Sequence, residues 1–259
     1  MAETAKVAIV TGSTQGLGEA IARELIAEQM IGGLVICGRN AERGRGLARE
    51  FSAQKCATEF VTADLARVED CLAVVDAARR TFGRVDYLVN SAASTDRGGI
   101  LDSSPELFDR IVAVNVRAPF FLMQQALKLM LEKEIEGSIV NILSMSSYGG
   151  QPFLTPYSMS KGALATLTKN VAKSVAERRI RVNGLNIGWM DTPGEHAIQK
   201  AFHNASGDWL EKAEQRQPFG RLLKPLEVAR MVAFLLSDRS GLMTGSLIEF
   251  DQNVLGAHG

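Results

Sequence analysis

Tyr157 and Lys161 stand four residues apart in Tyr157-Ser158-Met159-Ser160-Lys161, and the apolar spacing that follows at Ala163, Leu164, Leu167 and Val171 predicts a helix. Residues i and i+4 share a helix face, so a phenol and an ammonium would point into one site. A free tyrosine has a pKa of ~10 and is a poor base at neutral pH. A nearby cation favours the phenolate. Lowering the phenol by about three units asks for roughly 4 kcal/mol, within reach of charges in a dry cleft. The pair could then exchange a proton with an oxygen of a bound molecule. Alone, the spacing is weak evidence, because such pairs arise by chance and most lie on surfaces.

Two other side chains strengthen it. Ser144 ends the apolar run Ser138 to Leu143, thirteen residues before Tyr157. Asn115 interrupts Val114-Asn115-Val116 inside a long helical stretch, where asparagine has poor intrinsic propensity. That invites a special role, with a satisfied buried polar residue as the alternative. The histidines, His196, His203 and His258, all come late and none is near Cys37, Cys56 or Cys71. No metal site of His and Cys is expected, and a Ser-His-Asp set is hard to build. The tyrosine and lysine remain the credible acid/base set.

The elements that would position these groups are seven apolar runs: Val7 to Val10, Leu34 to Cys37, Phe60-Val61, Val85 to Val89, Ser138 to Leu143, Val182 to Ile187 and Leu247 to Phe250. Between them lie amphipathic stretches such as Gly18 to Gln29, Glu69 to Thr81 and Leu226 to Leu236. Continuous apolar strands separated by helix-length segments predict an α/β fold: one doubly wound Rossmann domain over residues 1–259, with a seven-stranded parallel sheet covered by helices on both faces. A polar segment from Asp191 to Gln217 breaks the rhythm and predicts a small helical lid at about 190–217. Ligands of open parallel sheets bind outside the carboxyl ends of the strands. Thr11, Arg39, Asp64, Asn90, Ser144 and Gly188 stand at such ends and are expected to line one crevice.

Gly12-Ser13-Thr14-Gln15-Gly16-Leu17-Gly18 follows the first strand and opens the first helix. Glycines there permit tight turns and close approach, and the helix N-terminus offers free N–H groups to a phosphate. An ordinary strand-to-helix turn would look similar, but the place on the first βα turn favours a dinucleotide. At the end of the second strand, an acidic residue would hold the ribose hydroxyl of NAD. Here Gly38 leaves room and Arg39 can pair with a 2′-phosphate, which favours NADP, with NAD as the alternative and a solvated surface arginine as the bland reading. Asp64 could accept from the adenine amino group or cap a helix.

The 259 residues carry 29 basic and 29 acidic side chains. A zero balance argues against bulk attraction to nucleic acid or to anionic membrane. No apolar run reaches ~18 residues, so no membrane span is expected, and Val7 to Val10 is too short for a signal peptide. Three scattered cysteines fit free thiols in the cytoplasm.

Over nearly its whole length the chain resembles the short-chain dehydrogenase/reductase family. The resemblance rests on Thr11 to Gly18, Asp64-Leu65, Asn90-Ser91-Ala92-Ala93, Asn115, Ser144, Tyr157 with Lys161, and Gly188 with Thr192. It implies that Tyr157 is the general acid/base on a substrate hydroxyl or carbonyl. Lys161 would hold the nicotinamide ribose and lower the tyrosine pKa, Ser144 would bond the reacting oxygen, and Asn115 would hold a water leading from Lys161 to solvent. Leu65, Asn90, Ala92, Gly188, Met190 and Thr192 would meet the cofactor. Compared with the family, Ser91 and Ala93 replace Asn and Gly, Ile187 replaces Pro, Leu143 replaces Ser, and Gln15 stands where NADP users often carry a basic residue.

The implied activity is reversible alcohol/ketone oxidoreduction. Reduction of a 3-oxoacyl or other small ketone, and a non-catalytic NADP-sensing regulator, are the alternatives. A nucleotide-sugar epimerase would need a larger C-terminal domain. Asp191, Glu195, His196, Gln199, His203 and Asn204, beside Trp189 and Trp209, would suit a hydroxylated substrate such as a sugar or polyol. The tail Phe250-Asp251-Gln252-Asn253 resembles bacterial sugar-pathway members of the family and points the same way. Ser144, Ser146, Gln151 and Trp189 are the candidate substrate contacts. Trp209 could equally serve lid packing, and the polar lid groups could face water. The stretches Leu107 to Leu131 and Ala163 to Val175 carry more apolar surface than one sheet covers, which with the resemblance implies a homotetramer.

Overall fold

The strands carry apolar residues on both faces because helices cover both. In β1 (Val7–Val10), Ala8 and Val10 pack into one core layer and Ile9 into the other. The computed structural model describes residues 5–202 and 207–254. Seven parallel strands form one sheet: β1, β2 (Gly33–Gly38), β3 (Ala57–Thr62), β4 (Tyr87–Asn90), β5 (Ser138–Ile142), β6 (Arg181–Ile187) and β7 (Leu247–Phe250), in the order β3-β2-β1-β4-β5-β6-β7. The order reverses between β1 and β4, which opens the crevice expected of a doubly wound sheet.

On one face, α1 (Gly16–Ala27), α2 (Ala41–Ala53) and α9 (Pro225–Leu236) bury Ile21, Leu25, Phe51, Val232 and Leu236 against the sheet. On the other, α3 (Val68–Phe82), α5 (Ala118–Glu132) and α6 (Thr155–Val175) bury Val74, Leu122, Met130 and Val175. Each fully buried aliphatic side chain contributes about 1.5–3 kcal/mol. Helix α4 (Pro105–Val112) runs into α5 through a π-helical turn at Ala113–Arg117, which contains Asn115. The segment expected to form a lid holds α7 (Pro193–Phe202) and α8 (Trp209–Glu214). No helix among the described residues is long and apolar enough to cross a membrane.

The sheet is pinned from beneath by Asp86, which is 4% exposed. Its Oδ2 accepts from the Val7 amide at 2.8 Å and from Arg84 Nε at 2.9 Å, and its Oδ1 accepts from Arg84 Nη2 at 2.6 Å. Asp86→Ala strands a strand amide and a guanidinium. Urea denaturation should show a loss of about 2–3 kcal/mol.

Candidate active site

The ends of strands β1 to β6 and the starts of α1, α6 and α7 build one cleft of about 1410 Å³. Its first wall is the turn from β1 into α1. Gly12 takes φ +63°, and a Cβ there would stand 2.9 Å from the Ala92 Cα; a Cβ on Gly18 would stand 2.4 Å from the Gly12 carbonyl oxygen. The turn is therefore wound as tightly as a backbone without side chains allows. Gln15, at the N-cap of α1, makes no side-chain cap bond, so the first amides of the helix stay open toward the cleft. That is a phosphate cradle, and the residues present fit a dinucleotide.

Thr14, Gln15, Gly16, Leu17, Arg39, Asp64, Leu65 and Ala92 all line the cleft. Arg39 is exposed at the end of β2 and has no ion-pair partner among the described residues, whereas neighbouring Arg43 is tied to Glu19 at 2.9 Å. The glycine at 38 has a further, steric cause. A Cβ there would lie 2.6 Å from Thr14 Oγ1, so the contact with Thr14 requires it. Asp64 is not a helix cap: its Oδ1 accepts from the Ala66 amide at 3.1 Å, and α3 is capped at Arg67.

Three expected cleft residues turn inward. Ser13 Oγ donates to the Val10 carbonyl at 2.7 Å and accepts from the Cys37 amide at 3.1 Å, stapling the glycine turn to β2. Thr11 Oγ1 accepts from the Ser91 and Ala92 amides at 3.0 and 3.1 Å. Asn90 Nδ2 donates to Asn141 Oδ1 at 2.8 Å, and Asn141 Nδ2 donates to Thr168 Oγ1 at 2.9 Å. The strand ends predicted position here, but the side chains brace the elements behind the cleft.

Ser144, Tyr157 and Lys161 come together on the far wall. Ser144 Oγ accepts from the Ser146 amide at 3.1 Å, which fixes the turn after β5. Lys161 is 2% exposed, and its Nζ donates to the Ile142 carbonyl at 2.7 Å, tying α6 to the end of β5. Burial lowers its pKa to about 8. The Tyr157 phenol is pushed up by burial, while its hydrogen bond with Ser144 and the charge of Arg97 pull it down and Glu195 pushes it up. Arg97 is thus a second cation acting on the phenol, beside Lys161, whose Nζ lies 5.7 Å from the ring centroid. Asn115 matches the alternative of a satisfied buried polar residue. Its Oδ1 accepts from the Ser94 amide at 2.8 Å, and its Nδ2 donates to the Ser94 carbonyl at 2.9 Å and to Ser160 Oγ at 3.0 Å. It is a satisfied buried group that binds the π turn to the loop after β4 and to α6.

Ser146, Gln151, Gly188, Trp189, Met190 and Thr192, expected to contact substrate or cofactor, all line the same cleft. Ser146 Oγ donates to Gln151 Oε1 at 2.5 Å, and Thr192 Oγ1 accepts from the Glu195 amide at 3.1 Å at the start of α7. The lid's polar residues divide. Asp191 holds His196 Nε2 and Lys224 Nζ, each at 2.8 Å, away from the cleft. Trp209 packs on His196, centroids 4.8 Å apart, and on Trp189 at 6.2 Å, which is lid packing. His203, Asn204 and His258 lie outside the described residues. Glu195 and Gln199 do face the cleft, together with Ile198 and Phe202.

Arg97, in the loop after β4, is the site residue that sequence reasoning missed, since nothing periodic marks it. The three cysteines are free; burial pushes Cys37 up to about 12 and Cys71 to about 11, which leaves them unreactive as thiols.

The chain from residue 12 to 252 matches a family model described as enoyl-(acyl carrier protein) reductase. An uncharacterised oxidoreductase of Thermotoga maritima is 35% identical over 246 residues, 95% of this chain and 96% of its own. A 3-oxoacyl-(acyl-carrier-protein) reductase of the same organism is 33% identical over 248 residues, 95% of this chain and 96% of its own. Among solved structures, an actinorhodin polyketide ketoreductase variant with NADPH superposes with a TM-score of 0.90 at 31% identity, covering 97% of this chain and 98% of its own. L-sorbose reductase from Gluconobacter frateurii, complexed with NADPH and L-sorbose, gives a TM-score of 0.90 at 28% identity, covering 98% of each chain.

Lys161→Met tests the electrostatics of this wall. The lysine is charged in both folded and unfolded chains below about pH 8, so its burial costs most there, and the cost fades as pH rises toward 10.5. Allowing for the lost bond to Ile142, the variant should be more stable than the parent by on the order of 2 kcal/mol at neutral pH. The gap should close in alkali, as urea melts at both ends of that window would report.

Proposed function

The chain belongs to the short-chain dehydrogenase/reductase family, and we propose that it is an NADP-dependent oxidoreductase that interconverts a ketone and a secondary alcohol. The observation that carries this is the convergence of Ser144, Tyr157 and Lys161 on one wall of a cleft whose other wall is an open helix N-terminus. The solved relatives hold NADPH. In this chain Arg39 would meet the 2′-phosphate, the glycine turn the pyrophosphate, and Asp64 the adenine end. Bound there, the nicotinamide would exchange a hydride with the substrate carbon.

The chain's own groups handle the oxygen. Ser144 donates a hydrogen bond to it and Tyr157 gives it a proton. The enclosed phenol keeps its proton at neutral pH, which suits the reducing direction. Lys161, locked on the Ile142 carbonyl, holds the ribose side of the cleft. Met190, Thr192 and Gly188 border the nicotinamide end.

A second reading, reduction of a 3-oxoacyl substrate, draws on the ketoreductase relatives, whereas the sorbose-bound relative supports a sugar or polyol. The complete serine, tyrosine and lysine set argues against a regulator that binds NADP without turnover. Residues 1–259 would act as one domain in the cytoplasm. Phe108, Phe120, Leu131 and Met159, exposed on α4, α5 and α6, support pairing of copies into a homotetramer.

Tyr157→Phe should lower kcat/KM for any reduced ketone by roughly 10³-fold while NADPH still binds. Arg39→Ala should raise KM for NADPH by about 10–100-fold and leave that for NADH nearly unchanged. Initial rates followed by nicotinamide absorbance with both cofactors decide each.

A further inference from the structure

The cleft holds an opposite-charge pair to which the functional reading above assigns no contact with the substrate. Arg97 comes from the loop after β4 and Glu195 from the first turn of α7, so the pair spans core and lid. The Arg97 Nη2 lies 3.7 Å from Glu195 Oε1, beyond a hydrogen bond, and each side chain is 15% exposed. Both are held in place. The Arg97 guanidinium donates from Nη1 to the Thr95 carbonyl at 3.3 Å and stands 5.8 Å from the Phe153 ring centroid. Glu195 Oε1 accepts from Trp189 Nε1 at 2.9 Å and from Gln199 Nε2 at 2.7 Å. Its second oxygen, Oε2, has no partner among the described residues. Both residues line the same cleft as Tyr157, and both charges are felt at its phenol with opposite sign.

We infer that Arg97 and Glu195 select a ketone that carries a hydroxyl close to its carbonyl, the hydroxyl accepting from the guanidinium and donating to Glu195 Oε2. The inference rests on the ketone-reductase reading above and names the substrate class of that site. A hydroxyl is the small group that satisfies both charges. A carboxylate in its place meets Glu195 as a like charge, an ammonium meets Arg97, and a methyl group takes water from both ions and offers neither a bond. A site built to bond a substrate hydroxyl discriminates strongly against the analogue that lacks it, far more than an apolar pocket can. Trp189, fixed by Glu195 at the edge of the same cleft, adds an aromatic face for a polyhydroxylated carbon chain.

The test compares hydroxyacetone with butanone, which replaces the hydroxyl by a methyl, and with pyruvate, which replaces the hydroxymethyl group by a carboxylate. Wild-type kcat/KM should favour hydroxyacetone over butanone by at least about 100-fold, with pyruvate no better than butanone. In Glu195→Gln and Arg97→Gln that ratio should fall by at least about tenfold, and Arg97→Lys, which keeps the charge, should restore part of it. A second readout needs no turnover. The chain has 2 tryptophans, Trp189 and Trp209, both at the lid. Titrating L-sorbose into the wild type with oxidised cofactor should shift their emission saturably, and in Glu195→Gln the midpoint should move up by at least about tenfold. Equal use of butanone and hydroxyacetone, preference for pyruvate, or an unchanged ratio in both glutamine variants overturns this inference alone. No turnover of any ketone by the wild type with either cofactor overturns the functional reading beneath it.

Discussion

The Lys161 ammonium is buried to 2% exposure and held by the Ile142 carbonyl at 2.7 Å. A desolvated cation is expensive, and this one stays because the last carbonyl of β5 points at it. The contact ties the end of β5 to the first turns of α6. Ser144 lies two residues beyond that carbonyl and Tyr157 one helical turn before that lysine. One buried bond between a strand end and a helix thus aligns the wall that carries Ser144, Tyr157 and Lys161. The opposite wall depends on a steric constraint of the same kind. Gly12 and Gly18 let the turn after β1 close against Ala92 and itself, leaving the amides of α1 open.

Much of this was legible because the sheet is covered on both faces. The interior strands β1, β2, β4, β5 and β6 are buried almost throughout and read as unbroken apolar runs. Edge strand β3 shows where that signal fails: Glu59 and Thr62 are exposed, so only Phe60 and Val61 stood out of a strand that spans Ala57–Thr62. Helix α1 starts at Gly16, earlier than its amphipathic pattern, because glycines carry no hydrophobic signal. The π turn around Asn115 has no propensity signature. It is recognised by its bonds to Ser94 and Ser160, which join segments far apart in sequence.

Side-chain direction was the harder matter. Position at a strand end correctly places Arg39, Asp64 and Ser144 on the cleft, yet Ser13, Thr11 and Asn90 stand just as near and turn away. Their short polar groups satisfy backbone and side-chain partners behind the wall, where an unpaired donor would be costly. The same accounting changes the meaning of the polar lid. Asp191 and His196 satisfy each other and Lys224, so their polarity belongs to lid architecture. Among the described polar residues of that segment, Glu195 and Gln199 remain for a ligand, set among Trp189, Ile198 and Phe202.

Burial works on the two titrating groups of the wall in opposite senses, raising the Tyr157 phenol and lowering Lys161, so both are driven toward neutrality. A proton can then leave the phenol only if something offsets the charge left behind. Ser144 does so at the oxygen itself, and Arg97 does so from the side, with Glu195 cancelling part of its effect. The phenol thus feels opposed charges from the cation and the anion, which stand 3.7 Å apart in the cleft. A molecule entering there meets little net charge but a strong local dipole, and groups that carry both a donor and an acceptor are the ones that dipole retains.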